Sequence, residues 1–322
     1  HGAECADLIR TYLADRLGLA GESTWAGRTA ETDLVLTLAE ETLPFHNAYS
    51  PSLYEEMESL AAAAGITPAE AVVVGGFTDL IDVVRAYTGD APVEDDCTAV
   101  IDPVEKVLAQ TWDMHASAGD YVVFLKLDPV IGPALVVQTT AGCLGQIGMN
   151  EAGISIGINN LTSFGTPGVT WPFVVRKVLQ QSNLDDAVNC VLDAHLAGGH
   201  NFLLMGPDGQ GANIEAMPGS VAVKRVTDEP FVHSNHCLDA DNQRWESERA
   251  AEFVVSSQTR LDRGKDLASD LDAFFSEPSI ARRTTEPHGV ATCGAVIMHP
   301  AERRMESVWG VPGDHPWETF QL

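Results

Sequence analysis

The sequence has little positive charge: 19 lysine and arginine residues stand against 46 aspartate and glutamate residues, for a net charge of −27. A surface this acidic repels nucleic acid and anionic membranes, so we expect neither as a partner. The sequence also lacks any run approaching the ~18 consecutive apolar residues that a membrane-spanning helix needs. Its first residues show neither the basic nor the apolar region of a secretory signal. With 322 residues and a hydrophobic fraction of 45%, the chain is predicted to form a substantial globular core.

Cysteine is scarce and widely spaced, and no two cysteines form a C-x-x-C pair. The six are Cys5, Cys97, Cys143, Cys190, Cys237 and Cys293. A chain of this length does not need disulfides for stability, so we expect reduced thiols and a cytoplasmic location. Most of these thiols are expected to be small buried residues, and at most one or two to carry chemistry.

The first part of the chain, residues 1–96, has the hydrophobic periodicity of helices. Helices are predicted over residues 3–18 and 30–46, from Pro51 to Gly65, and from Thr67 to Tyr87 with an interruption at Gly75-Gly76. Thr67-Pro68-Ala69-Glu70 is typical of a helix start, with a capping residue, a proline and a capping acid. A polar, turn-forming linker over residues 89–96 ends this part.

The pattern changes at Cys97, where short runs rich in β-branched and aromatic residues begin. Strands are predicted over residues 97–101, 106–112, 121–127, 134–139, 142–148, 154–159, 201–205, 212–216, 221–226, 231–234, 290–299 and 303–308. Helices are predicted over residues 171–197, with a division near 182–183, and over 243–258 and 261–275. This order predicts an α+β fold in which antiparallel sheets lie between helical layers. We interpret residues 1–96 and 97–322 as two segments of one compact domain.

Cys97 is the residue on which a functional interpretation depends. Taken alone, a cysteine at the start of a strand is more often structural than catalytic. Here it follows an acidic linker, and Asp113 ends the next predicted strand, so antiparallel pairing would bring the two close together. A thiol nucleophile needs a base, and a free α-amine with a pKa of about 7.7–8.0 can serve if the bond before Cys97 is cut. A donor for the developing oxyanion is also required.

Five motifs in a fixed order make the sequence similar to a known family. They are Asp96-Cys97-Thr98, Gln110-Thr111-Trp112-Asp113, a glycine-rich stretch over residues 141–153, Asn159-Asn160-Leu161, and His233-Ser234-Asn235-His236-Cys237. Over roughly residues 90–300, the chain resembles the acyl-coenzyme A:6-aminopenicillanic acid acyltransferase family, also called peptidase family C45. This family belongs to the N-terminal-nucleophile hydrolases.

The resemblance implies a four-layer αββα sandwich and self-cleavage between Asp96 and Cys97. It implies that Cys97 is the nucleophile with its own α-amine as base, that Asp113 helps to hold this amine, and that Asn235 stabilises the oxyanion. Thr98, Trp112, Asn159 and His236 are expected to line the site. One departure from the family pattern is Asp96, because the best-known member has glycine before its cysteine.

We therefore expect a self-processing amidohydrolase or acyltransferase that cleaves a small-molecule or short-peptide amide through a thioester acyl-enzyme. No cofactor or metal is expected. The cleaved N-terminal segment is expected to stay as a partner, and a homo-oligomer is left open. Three alternatives remain: a non-catalytic relative that binds a ligand, an acyltransferase with a thioester donor, and a thiol hydrolase that works uncleaved with a histidine base.

Other motifs have simpler interpretations. His233-x-x-His236-Cys237 has two histidines and a cysteine, but no second cluster at zinc spacing completes a metal site. A Cys–His pair from His236 and Cys237 is disfavoured because neighbours on a strand point to opposite faces. The glycine-rich stretch lacks the following helix and lysine of a phosphate loop. It is expected to pack closely against another backbone, with Cys143 and Cys293 in the core.

Overall fold

The computed structural model describes residues 1–22, 29–89, 97–130, 132–283 and 289–322. The described residues before Cys97 are helical, as predicted. Their helices are α1 (Ala6–Ala20), α2 (Thr32–Tyr49), α3 (Pro51–Ala64), α4 (Pro68–Gly75) and α5 (Phe77–Thr88). Thr67 and Glu70 form the predicted reciprocal capping box at the start of α4. The helical conformation is interrupted at Gly76, between α4 and α5.

A six-stranded antiparallel sheet contains the seam between the two segments. Its strands, in spatial order, are β10 (Phe231–His233), β1 (Ala99–Asp102), β2 (Val107–His115), β11 (Val290–His299), β12 (Arg304–Trp309) and β13 (Glu318–Gln321). β1 is flanked by β2 on one side and by β10 on the other, so residues near Cys97 have neighbours from two distant parts of the sequence.

A second antiparallel sheet has seven strands in sequence order. They are β3 (Val122–Leu127), β4 (Leu135–Thr140), β5 (Ile147–Asn150), β6 (Ser155–Leu161), β7 (Gly199–Met205), β8 (Gly211–Met217) and β9 (Ser220–Val226). The predicted turn at Asn150–Gly153 joins β5 to β6, and Gly153 adopts a positive φ of 82° there. A side chain at Gly148 would meet the Val136 carbonyl oxygen at 2.3 Å, which confirms the expected close backbone approach.

The two sheets pack face to face between helical layers. β1 and β2 contact β6 and β7 across the interior. On the side of the seven-stranded sheet lie α6 (Trp171–Val178) and α7 (Leu184–Leu192), and α7 contacts β7 and β8. On the side of the six-stranded sheet lie α8 (Ala251–Leu267) and α9 (Leu271–Ser276). The predicted α+β, αββα architecture is therefore confirmed.

Strand alternation at the seam explains how Cys97 is presented. Cys97, Ala99 and Ile101 belong to the main apolar core between the sheets. Val100 belongs to a separate cluster that includes Leu261 of α8. Because successive strand residues point to opposite faces, Cys97 faces the inter-sheet interior while its neighbour Thr98 faces α8.

Several predicted boundaries were wrong. Residues 243–258 and 261–275 were predicted as two helices, but α8 runs from Ala251 through residues 258–261 without a break. Its end is set by the next helix, because the Asp270 side chain accepts a hydrogen bond from the Ala273 N–H and caps α9. The strand predicted over residues 142–148 begins only at Ile147, because Gly142 turns the chain with a φ of 89°. β13 was not predicted.

Within the described ranges, no single helix is long and apolar enough to cross a membrane. One pair, Pro51–Ala64 with Pro68–Gly75, passes a test of length and composition only when taken together, and it is bent by 101°.

Candidate active site

Cys97 lies at the start of β1, beside the end of β2. Pairing of Ala99 with Gln110 sets the register, and the Thr111 N–H continues it by donating to the Thr98 carbonyl. The Asp113 N–H lies 3.4 Å from the Cys97 Sγ, and this Sγ lies 3.7 Å from the Asp113 carbonyl oxygen. The structure therefore brings Cys97 and Asp113 together as the strand pattern predicted.

The Asp113 side chain is fully buried, and its hydrogen-bond partner lies on β11, the strand on the other side of β2 from β1. Thr292 on β11 donates a hydrogen bond from its Oγ1 to the Asp113 Oδ1 over 2.6 Å. The register between β2 and β11 shifts between Thr292 and Gly294, next to this contact. Bulges of this kind often redirect side chains beside functional sites. Thr292 was not among the predicted site residues, because it lies 179 residues away from Asp113 in the chain.

Asn235 approaches Cys97 from the opposite side of β1. Ala99 pairs with His233, and extending this antiparallel register by two residues sets Asn235 opposite Cys97. The Asn235 backbone N–H donates to the Ser257 Oγ over 3.0 Å. Its side-chain Nδ2 donates to the Asn160 carbonyl over 3.1 Å. This residue is therefore held by both the helical layer and the second sheet.

Arg260 is a site residue that the sequence reasoning missed. Its side chain is 1% exposed, and its Nη1 donates to three oxygens: the Cys97 carbonyl at 2.6 Å, the Thr98 Oγ1 at 3.1 Å and the Asn235 Oδ1 at 3.0 Å. Arg260 therefore links Cys97 and Thr98 to the side-chain amide of Asn235, which is the candidate oxyanion donor. Residues 259–260 fell between the two predicted helices, so Arg260 was expected in a connection.

A signal for Arg260 does exist in the helical periodicity. The buried face of α8 contains Phe253, Ser257, Arg260, Leu261 and Gly264. An arginine at this spacing among small and apolar residues indicates a buried guanidinium, and a buried guanidinium requires acceptors. A continuous helix would have pointed to Arg260.

Asn159 contacts the same carbonyl group from the other sheet. Its Nδ2 donates to the Cys97 carbonyl oxygen over 3.2 Å, and its Oδ1 accepts from the Asn201 Nδ2 over 3.2 Å. The Cys97 carbonyl thus accepts hydrogen bonds from both sheet-side and helix-side donors. The expectation that Asn159 lies at the site agrees with this geometry.

The other expected site residues have different surroundings. Thr98 contacts Arg260, as described above, and Trp112 is buried in the main core with Cys97. His236 follows Asn235 in the chain and contacts the same serine, with its Nδ1 2.7 Å from the Ser257 Oγ. Burial, helped by nearby cationic side chains, lowers the pKa of His236 to about 4. Asp96, the other half of the predicted processing site, lies outside the described residues.

Cys237 is unsuited to nucleophilic chemistry. It is 1% exposed, and its Sγ lies 3.8 Å from the Met217 sulfur. Burial, together with the carboxylates of Glu246 and Glu215, raises the pKa of the Cys237 thiol well above its usual range. Among the described residues, no group of three or more histidine, cysteine, aspartate or glutamate side chains is arranged to hold a metal ion.

These contacts describe a buried thiol at the start of a strand, with amide and guanidinium donors grouped around its own backbone. These donors fix the orientation of Cys97 and of the Asn235 amide, and the low dielectric of a buried site strengthens the hydrogen bonds. The arrangement is suited to acyl chemistry at a thiol.

Comparison with known proteins agrees with this class. Residues 101–289, more than half of the chain, match the family model for acyl-coenzyme A:6-aminopenicillanic acid acyl-transferase. The chain belongs to this family, as the sequence motifs predicted.

A curated relative from Emericella nidulans, the acyl-coenzyme A:6-aminopenicillanic-acid-acyltransferase 40 kDa form, is 26% identical over 194 residues. That match covers 58% of this chain and 52% of the relative, so the chain spans about half the length of the curated relative.

Two solved structures with some similarity both have low identities and TM-scores below 0.5. A mutant of the conjugated bile acid hydrolase from Clostridium perfringens has a TM-score of 0.49 at 10% identity, covering 70% of this chain and 92% of that one. Penicillin V acylase from Agrobacterium tumefaciens has a TM-score of 0.42 at 11% identity, covering 70% of this chain and 86% of that one.

Proposed function

We propose that the protein is a self-processing N-terminal-cysteine amidohydrolase or acyltransferase. The observation that carries this proposal is the position of Cys97. Its thiol lies beside Asp113, and its carbonyl oxygen accepts hydrogen bonds from Arg260 and Asn159. Membership of an acyl-transferase family supports the same class of reaction.

Processing would begin at the bond between Asp96 and Cys97. The Cys97 thiol attacks the Asp96 carbonyl carbon, the carbon–nitrogen bond breaks, and the nitrogen takes up the thiol proton, which leaves a thioester and a free α-amine. Water then hydrolyses the thioester, which restores the thiol and leaves a carboxylate on Asp96. The product is a new N-terminus whose α-amine lies within the Cys97 residue itself.

Turnover would use this amine as the base. The amine takes the thiol proton while Sγ attacks the substrate carbonyl, and the departing amine of the substrate receives that proton. The resulting thioester is resolved by water or by an amine acceptor. The Asp113 backbone N–H lies 3.4 Å from the Cys97 Sγ, and its side chain, which accepts a hydrogen bond from Thr292, is proposed to help to hold the α-amine.

Asn235 is the candidate donor for the developing oxyanion. Arg260 donates to its Oδ1, and one N–H of its Nδ2 group donates to the Asn160 carbonyl, so the second N–H is the one proposed for the oxyanion. A donor fixed in this way stabilises charge without having to reorganise during the reaction. Asn159 is a second side-chain amide at the site, and its Nδ2 donates to the Cys97 carbonyl oxygen.

The two segments are proposed to remain one compact domain after cleavage. Direct contacts cross between them: Arg176 donates to both carboxylate oxygens of Glu56 at 2.8 and 3.0 Å. The Trp171 N–H donates to the buried Asp79 Oδ2 over 2.6 Å. Such charge-assisted contacts, of which the one to Asp79 is buried, resist separation of the segments. A cytoplasmic location is part of the proposal, and it agrees with six cysteines that form no disulfide.

The substrate class is a small-molecule or short-peptide amide, and hydrolysis is favoured over transfer because no coenzyme A site is evident in the sequence. An acyltransferase with a thioester donor is the alternative, and the family name favours it. A non-catalytic ligand-binding relative is the alternative from another class.

Trapping the acyl-enzyme tests the proposal directly. The purified protein is mixed with a small set of amides, quenched in acid and analysed by intact mass and peptide mapping. We expect an acyl mass on Cys97 with at least one amide, both in the original protein and in the matched Cys293→Ala control, and no acyl mass on any other cysteine. Acylation elsewhere, or none while the amide is turned over, would contradict the thioester mechanism.

A further inference from the structure

A small cavity lies at the edge of the sandwich, where the inner face of β8 and β9 extends beyond β10. Its volume is about 230 Å³, which suits a small organic molecule. Polar side chains from three chain segments line it: Asn213 and Glu215 on β8, Lys224 on β9, and Asp239 in the loop after β10.

The polar atoms of the β8 side are hydrogen-bond acceptors. Asn213 is 3% exposed, and its Oδ1 accepts no hydrogen bond within the described part of the chain. The Glu215 carboxylate, 2% exposed, accepts hydrogen bonds from the N–H groups of Leu238 and Asp239 at 2.6 and 3.1 Å and contacts His233 at 2.9 Å. An unsatisfied buried acceptor is costly unless a ligand or water donates to it. A ligand with a hydrogen-bond donor, such as an ammonium group, therefore suits this side of the cavity.

The positive charge of the cavity lies beside this acceptor, because Lys224 on β9 pairs directly with Asn213 on β8. The Lys224 ammonium lies 4.5 Å from the centre of the Phe231 ring, and both residues line the cavity. Stacking on the ring fixes the ammonium group near the cavity, and a lysine there favours a carboxylate. Ala222, Val223 and Leu238 complete the lining with apolar surface.

We propose that this cavity binds a small zwitterion of the amino-acid type with an apolar side chain. The ligand's ammonium group donates to Asn213 Oδ1 on the acidic β8 side, and its carboxylate accepts from Lys224. The apolar side chain lies against Phe231 and Leu238. A simple amine leaves Lys224 without a partner, and a simple carboxylate leaves Asn213 unsatisfied.

This site is distinct from Cys97. Phe231 lies four residues before Asn235 along the chain, which is roughly 13 Å in an extended strand. The His233–Glu215 contact lies between the cavity and the nucleophile. Binding in the cavity therefore does not require the proposed reaction, and it can be measured whether or not that reaction occurs.

Calorimetric titration of the full chain with L-phenylalanine tests the proposal. We expect saturable binding that is about tenfold weaker for 2-phenylethylamine, which lacks the carboxylate, and for 3-phenylpropanoate, which lacks the ammonium group. Lys224→Met and Asn213→Leu are each expected to weaken L-phenylalanine binding about tenfold.

Arg225→Met is the matched control, because Arg225 neighbours Lys224 but its side chain pairs with the exposed Asp185. Its affinity is expected to stay within about twofold of the original. Lys224 is exposed, so its replacement tests the site without disturbing the core. The proposal is overturned if L-phenylalanine does not saturate, if the three ligands bind equally, or if Lys224→Met binds as well as Arg225→Met.

Discussion

Two buried cysteines, Cys97 and Cys143, show how differently the same residue type is treated in this molecule. Cys97 lies beside a strand end, with the Asp113 N–H at its sulfur and Arg260 and Asn159 at its carbonyl oxygen. Cys143 is fully buried, and its Sγ faces carbonyl oxygens, of Gly75 at 3.7 Å and Gly145 at 3.9 Å. Burial raises the pKa of the Cys143 thiol. Both sulfurs are buried and lie near backbone groups, so the feature that separates the candidate nucleophile from the packing residue is the pair of side-chain donors, Arg260 and Asn159, at the Cys97 carbonyl oxygen.

The largest effect is expected from Cys97→Ala. Removal of the Cys97 sulfur should abolish self-cleavage and lower turnover by ~10³-fold or more, because the covalent step is lost. Intact mass and steady-state kinetics measure the two effects separately. Cys143→Ala is the control, and it should cost about 1 kcal/mol of stability while turnover is retained. Equal loss of activity in both variants would erase the distinction between the two cysteines.

Arg260 gives the next largest expected effect, because it organises the Cys97 side of the comparison. Arg260→Met removes the guanidinium from the Cys97 carbonyl and from Asn235, and should lower kcat about 10²-fold or more. Arg260→Lys keeps the charge and should recover part of this loss, which distinguishes positioning from simple unfolding.

Arg263→Met is the matched control on the same helix, because Arg263 is partly exposed and pairs with Glu277. Melting temperature and kcat should both stay close to those of the unmodified protein. If Arg260→Met and Arg263→Met had the same kcat, Arg260 would have no special role at the Cys97 site.

The pH profile of kcat/KM sharpens the comparison by identifying the base that serves Cys97. Because burial lowers the pKa of His236 to about 4, this imidazole is neutral over the whole neutral range and has no transition there. Activity should instead rise through a pKa of about 7.7–8.0, as expected for the α-amine. His236→Gln should leave this transition in place. A transition with a pKa of about 6.5 that disappears in His236→Gln would favour the histidine-base alternative.

The smallest effect is expected from Thr292→Val, which removes the hydrogen bond to the Asp113 Oδ1. Loss of one buried hydrogen bond should cost about 1 kcal/mol of stability and lower kcat a few-fold, since Asp113 is then less well oriented. Thermal unfolding and kcat report these effects. Unchanged kcat would mean that the orientation of Asp113 does not matter at the site.

The difference between Cys97 and Cys143 could be predicted in part from sequence. The change from helical to strand periodicity at Cys97 is local, and so is the short turn that pairs β1 with β2. Asp113 could therefore be brought to Cys97 by strand pairing alone. Asn235 was identified by the family resemblance, and its position opposite Cys97 follows from the register of β1 and β10.

The remaining contacts depend on packing between layers, which local patterns do not encode. Arg260 reaches Cys97 across 163 residues of sequence, and Asn159 reaches it from the opposite sheet. Cys143 was expected inside a strand because the glycine-spaced stretch over residues 142–148 was predicted as one, but Gly142 turns the chain before it. β13 was missed because its residues are largely exposed and polar, so they show no apolar alternation.

Intact mass of the purified protein under denaturing conditions tests the central claim most directly. The account predicts two fragments, residues 1–96 and 97–322, in the active protein, and a single uncleaved chain in Cys97→Ala. A fully active protein whose chain is never cut before Cys97 would contradict it.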